Sequence, residues 1–264
     1  MRYLVPFSYM FTTRYKTLAY KIAFMIVYLC PLIIIAWINK ADIRLFLASV
    51  IGVNCIYENG YIDNDLITID WEVRPTVRVN YSKQKRLKRN YLLMKSFRDM
   101  GYLLSVLAVY IICPARLSVF LLSGTVLVVV YSIHNTIRSI WNTVTFSFLV
   151  LLKYAIPIIC ILDKMPEIFL GLLSVIVLIC IPRIFEYALK YGNHGKQYMD
   201  QLERNRFIYY LIMSFLAIFL YNLNMKSFPF LVLSVYYLIF RGGVYLMKNT
   251  KTQLKKNEER SGVQ

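Results

Sequence analysis

Apolar residues in this chain come in long blocks separated by short polar breaks. Eight stretches of roughly 16 to 20 mostly apolar residues lie at about 20–38, 42–60, 100–115, 117–133, 144–162, 166–182, 207–223 and 227–246. Each is long enough to cross a bilayer as a helix, with some tilt or help from interfacial residues. The third and fourth are divided only by Cys113-Pro114-Ala115-Arg116, where a proline and an interfacial arginine predict a turn and not one continuous helix. The pattern predicts an all-α, polytopic transmembrane helical bundle of about eight spans, forming a single membrane domain over 1–264. The connections after the second and sixth spans are long and polar, and the remaining ones are short. That spacing divides the chain into two four-helix halves, without a residue-level repeat between them.

Composition agrees with a lipid-embedded chain. Of 264 residues, 58% are hydrophobic and 16% aromatic, and the mean hydropathy is +0.53. The formal charge of +17 suits nucleic acid, anionic lipid or a phosphorylated substrate equally well until topology is considered. With the N-terminus inside, the cytoplasmic segments 1–19, 61–99, 134–143, 183–206 and 247–264 hold 23 Lys and Arg, and the opposite side holds five. This bias predicts cytoplasmic N- and C-termini and an even number of spans in a multi-pass integral membrane protein. Membrane lipids and phosphate-bearing lipids are then the expected partners and nucleic acid is not; oligomeric state is left open. Ser82 to Arg98, rich in Lys, Arg and Leu, reads as a basic helix on anionic headgroups. The segment 247–264 reads as a disordered basic cytoplasmic tail.

Cys30, Cys55, Cys113, Cys160 and Cys180 stand singly in apolar stretches, so neither a disulfide framework nor a thiolate metal site is suggested. Met1 to Lys16 carries Arg2, Arg14 and Lys16 among aromatics and lacks a small-residue cleavage site. It reads as a lead into the first span.

Candidate chemistry concentrates after the second span. Five of the 14 acidic residues fall between Glu58 and Glu72. If the second span continues as a helix, Asn64, Thr68 and Glu72 share a face with Asp65 beside them. Such an all-oxygen set suits Mg²⁺ shared with a phosphate-bearing substrate. Arg74 and Arg78, four residues apart, are placed to clamp phosphate oxygens. The alternative is a solvated loop whose acids neutralise neighbouring Lys and Arg. Polar groups entering the span at Asn54, Glu58 and Asn59 weigh against it.

Asn64-Asp65, then Thr68, Glu72 and Arg74-Pro75, at the cytoplasmic end of the second span, resembles a degenerate first Asp-rich motif of the UbiA superfamily of intramembrane prenyltransferases. The family pattern runs Asn-Asp, acids four and eight residues after the Asn, then Arg-Pro. Here Thr68 replaces one acid, Glu72 replaces Asp, and the spacing to Arg-Pro is shorter. The resemblance implies a Mg²⁺-dependent site for an isoprenoid diphosphate or other lipid phosphate, with Asn64, Asp65, Thr68 and Glu72 as metal ligands. The family's second acidic motif follows span six. There this chain offers Arg183, Glu186, Tyr187 and Lys190, a single carboxylate among basic and phenolic groups, read either as helix-surface pairs or as a direct phosphate clamp. Asp200 and Glu203 lie further on and are expected to pair with Arg204 and Arg206.

Between spans four and five, His134, Arg138 and Asn142 recur at helical spacing with Tyr131 and Asn135 alongside. The resemblance carries Arg138 over as a group facing the diphosphate. His134 is read either as an acceptor's general base or as an interfacial histidine. Lys153, about ten residues into span five, snorkels or pairs inside the bundle. The aromatic residues single out no tunnel-lining set. The expected function is a UbiA-like transferase on a polyprenyl diphosphate or polyprenyl phosphate, with Asp65, Glu72, Arg138 and Glu186 as catalytic candidates. The alternative is a non-catalytic transporter or carrier of a phosphorylated or lipid-linked substrate.

Overall fold

The computed structural model describes residues 3–71, 77–137, 139, 141–189, 198, 200–223 and 227–261, with side chains described as far as Thr250, apart from Trp71. It is all-helical, with no strand among the described residues. In chain order the helices are α1 (Ser8–Thr13), α2 (Leu18–Ile38), α3 (Ile43–Leu66), α4 (Tyr81–Arg89) and α5 (Tyr91–Ile112). Then come α6 (Leu117–Thr136), α7 (Asn142–Ile161), α8 (Met165–Ala188), α9 (Leu202–Asn222) and α10 (Phe228–Ser261). All eight apolar stretches are helical. Six of the helices, α2, α3, α6, α7, α8 and α10, are long and apolar enough to span a membrane. Helices α5 and α9 match the remaining stretches in position but begin in charged turns, at Lys95 and Arg98 and at Glu203, Arg204 and Arg206. Helix α10 continues as backbone through Ser261, well into the segment whose composition reads as a disordered tail.

The chain divides into two compact units, Met1–Leu172 and Leu173–Gln264. In the first, α3 is the central helix, packed against α5, α6 and α7. Its most apolar window is 78% buried, against 22% for that of α6, which leaves the outer helices to face lipid. Large apolar side chains on those helices are exposed, including Trp37, Ile111 and Leu122, as a lipid-facing surface requires. Small residues let the helices approach, a device membrane helices rely on because lipid supplies no hydrophobic drive between them. Gly52 of α3 lies under Phe120 and Ser105, and Gly101 of α5 lies over the Cys55 sulfur.

Two helices carry a π-helical turn directly before a proline. In α2 the turn is Met25–Leu29, ahead of Pro31; in α8 it is Ile176–Cys180, ahead of Pro182. Proline lacks the N–H that closes a helical turn and its ring crowds the carbonyl four residues back, so widening the preceding turn relieves the clash.

Helix starts follow local chemistry. The Thr17 side chain accepts from the Tyr20 N–H at the head of α2, and Asp42 accepts from the Arg44 N–H at the head of α3. Between the two helices Lys40 takes the left-handed conformation, φ 52°, that turns the chain. Helix α3 ends at Leu66, where the β-branched run Ile67-Thr68-Ile69 begins and the chain tightens into a 3₁₀ turn, Thr68–Trp71. The continuous face expected for Asn64, Thr68 and Glu72 is therefore broken after Leu66. Likewise α6 stops at Thr136 and Ile137 is extended, so His134 and Asn142 belong to different helices and not to one helical strip.

Candidate functional site

The polar end of α3 is built from ion pairs. Every acidic residue from Glu58 to Asp70 faces a cation. Asp63 accepts from Lys95 Nζ at 3.0 Å and from the Tyr91 hydroxyl at 2.6 Å, and Asp70 pairs with Lys88. Glu58, 1% exposed, accepts from Arg98 Nε at 3.1 Å, and Arg98 is itself fully buried. Glu58 also accepts from the backbone N–H groups of Phe7 at 2.6 Å and Met10 at 2.7 Å, capping the short α1 from 48 residues away. Arg98 also donates to the carbonyls of Leu4, Val5 and Met94. One buried pair therefore fastens the N-terminal segment to α3 and α5.

About two helical turns beyond Glu58 along α3 is Asp65, 1% exposed. Its oxygens take the fork of Arg14, at 2.7 and 2.9 Å, together with Arg78 at 3.4 Å and the Tyr9 hydroxyl at 3.1 Å. Two guanidinium groups on one carboxylate leave a net positive charge. The Arg14 guanidinium also lies 4.5 Å from the centre of the Tyr61 ring. Burial on its own disfavours the charged Arg14, but the hydrogen bonds and charge of Asp65 outweigh it and hold the guanidinium above its ordinary pKa. Burial, then the neighbouring Asp65 charge, pushes the Tyr9 phenol up and keeps it neutral as a donor. Arg78 is 34% exposed, gives Asp65 one contact and donates to no other described residue. Lys16 approaches alongside, donating to the Arg78 carbonyl at 3.2 Å.

The other predicted positions fall as follows. Asn64 Nδ2 lies 3.5 Å from Asp65 Oδ1, and Thr68 Oγ1 donates to the Asn64 backbone carbonyl at 3.4 Å. His134 Nδ1 meets Thr145 Oγ1 at 2.9 Å across the α6–α7 junction. Asn135 is buried and donates to the Gly60 carbonyl at 3.0 Å. Lys153 pairs inside the bundle, 4.2 Å from the Tyr28 ring centre and 4.7 Å from that of Tyr57. Glu72, Arg74, Arg138 and Lys190 lie outside the described residues.

In the second unit, Glu186 accepts from Arg206 Nε at 2.6 Å and from Arg206 Nη2 at 2.7 Å. Arg206 also reaches Glu203 at 2.7 Å, as expected, and Arg241 stands 3.6 Å from Glu203. Arg204 turns to Gln201. Glu186, Arg206, Tyr198 and Tyr209 line a cavity of about 340 Å³. Tyr187 is half-buried and Arg183 exposed on α8.

The described residues do not fit the Mg²⁺ ion that the family resemblance implies. Both oxygens of Asp65 are occupied by guanidinium donors, and no group of three or more His, Cys, Asp or Glu residues is gathered for a metal among the described residues. A carboxylate already neutralised by two arginines has little charge left to offer a divalent cation. The residues that the sequence reading passed over are Arg14, Tyr9, Tyr61 and Arg98, all cationic or aromatic. Arg14 and Arg98 sit 51 and 40 residues from the acids they hold, and no sequence spacing signals that.

Six apolar spanning helices make this a multi-pass integral membrane protein. No protein-family model, curated protein or solved structure matches the chain.

Proposed function

We propose that the chain is a UbiA-like intramembrane transferase for a polyprenyl phosphate or diphosphate, whose anionic head is received by Arg78 and Arg14 at the end of α3. The observation that carries this reading is the doubly arginine-bound Asp65: a buried, net-cationic cluster walled by Tyr9 and Tyr61, in which Arg78 gives the described residues only one of its donors. Arginine forks recognise phosphate oxygens in the geometry they use for carboxylates, so the lipid's head competes with Asp65 for the same donors. For a diphosphate substrate, the allylic C–O bond breaks with its electron pair leaving on the diphosphate oxygen. The acceptor then forms the new bond and gives up a proton. Arg14 and Arg78 take up the charge that develops on the departing group. The eight helical stretches support an eight-span bundle, in which α5 and α9 cross behind charged entry turns.

A second reading is favoured by the same ion pairs. Carboxylates saturated by arginine suit a carrier that exchanges Asp65 for a lipid phosphate and performs no chemistry. Incubation of the detergent-purified protein with radiolabelled polyprenyl diphosphates, polyprenyl phosphates and a panel of acceptors separates the two. The transferase reading expects released pyrophosphate or a new lipid product, lost in Arg78→Gln. Folded protein that binds the lipid without turnover supports the carrier, and folded protein that does neither defeats both.

A further inference from the structure

A groove of about 470 Å³ opens in the first unit between the N-terminal segment, α4 and the first turn of α5. That volume lies within the range of sites that hold small ligands. Its floor is apolar, formed by Leu4, Leu87, Leu93 and Met94, and its rim carries Lys83 and Arg86, one helical turn apart on α4. No carboxylate lines it among the described residues. We infer that this groove seats one anionic glycerophospholipid, its phosphate on Lys83 and Arg86 and the upper part of an acyl chain along Leu87, Leu93 and Met94.

The charge arithmetic of α4 points to an anion from outside the fold. Five of its nine residues are cations, and of these only Lys88 meets a described carboxylate, Asp70. Like charges at this density repel one another, and the negative surface of a lipid leaflet supplies the missing counter-charge. The floor is rigid. Leu87 is 4% exposed and Met94 1%, both fixed in a cluster with Tyr9, Ile62, Leu66 and Val79. Gln84 adds a tie from α4 to the Asp65 carbonyl at 3.3 Å. By contrast Leu93, 49% exposed, presents its side chain at the open groove. A fixed apolar trough ending at two cations that meet no described carboxylate matches one amphiphilic molecule better than it matches water or a free ion. The seat is separate from the Arg14–Asp65–Arg78 cluster, and it stands whether or not the chain performs chemistry.

The test measures retention of phosphatidylglycerol against phosphatidylcholine by the full chain, using native mass spectrometry from mixed-lipid nanodiscs. Three variants are compared with the parent: Lys83→Gln with Arg86→Gln at the groove, Lys85→Gln with Arg89→Gln off it, and the charge-neutral Leu93→Ser. The groove reading expects preferential retention of one phosphatidylglycerol, roughly tenfold weaker or more in the Lys83/Arg86 variant. It expects a markedly smaller change in the Lys85/Arg89 variant and a measurable loss in Leu93→Ser. Equal losses from the two charge pairs, or full retention by Leu93→Ser, would reduce the site to diffuse attraction and overturn the inference. Absence of any preference for phosphatidylglycerol in the parent does the same.

Discussion

The Tyr154 phenol donates a hydrogen bond of 3.0 Å to the carbonyl of Val27, which lies four residues ahead of Pro31. A regular helix would fill that carbonyl from the N–H of residue 31, which proline lacks. The second unit repeats the solution: Tyr210 donates at 2.8 Å to Leu178, four residues ahead of Pro182, and Tyr209 at 2.6 Å to Val177. In lipid no water can fill an open carbonyl, so a neighbouring helix supplies the donor. Tyr154→Phe and Tyr210→Phe are each expected to cost about 1 kcal/mol. Unfolding of the purified protein in mixed micelles measures this. Combined with Pro31→Ala, which restores the missing N–H, the Tyr154→Phe cost should shrink. An unchanged cost in that background would contradict the account.

Glu58 and Arg98 should behave as an interdependent pair. Removing one partner leaves a buried charge uncompensated, so Arg98→Met alone is expected to destabilise by roughly 3–5 kcal/mol. The double change Glu58→Gln with Arg98→Met is expected to cost clearly less than the sum of the single changes. Because Glu58 also caps α1, both Glu58 variants should expose residues 3–13 to limited proteolysis. A resistant N-terminus in folded Glu58 variants would refute the capping role.

Gly60 marks where α3 passes directly beneath the Tyr131 ring, and a Cβ there would overlap the ring carbons Cδ1 and Cε1. Tyr131 is buried edge-on against Tyr57 and Tyr61, so it has little room to retreat. Gly60→Ala is expected to lower stability by about 1–3 kcal/mol. Tyr131→Leu should make the same alanine tolerable, as read by thermal inactivation of the two single variants and their combination. If the alanine is equally damaging in both backgrounds, the overlap is not its cause.

The helices were legible in the chain because a membrane span is a one-dimensional signal: a run of apolar residues of sufficient length, needing no knowledge of neighbours. Pro114 marked the break between α5 and α6, where a 3₁₀ turn, Pro114–Arg116, now lies. The acidic density after Glu58 pointed to the polar end of α3, but its meaning was carried by distant residues. Asp65 read as a metal ligand while Arg14 looked like part of a lead-in segment, and only the folding back of α1 joins them. Helical spacing misled at both places where the helix stops, after Leu66 and after Thr136. There the β-branched residues Ile67 and Ile137 depart from the helix, although the residue pattern continues to suit one.

The central claim is that the end of α3 receives a lipid-borne phosphate through arginine. Arg78 is the informative position, because its side chain is 34% exposed where that of Arg14 is 13%. The direct measurement is the affinity of polyprenyl phosphate for the protein in phosphatidylcholine nanodiscs, with and without Arg78→Gln, using the dephosphorylated polyprenol as a control. The account predicts tight binding of the phosphate over the alcohol and a loss of roughly tenfold or more in the variant, the worth of one charge-assisted hydrogen bond. Equal affinity for phosphate and alcohol, or an unchanged affinity in folded Arg78→Gln, would contradict it.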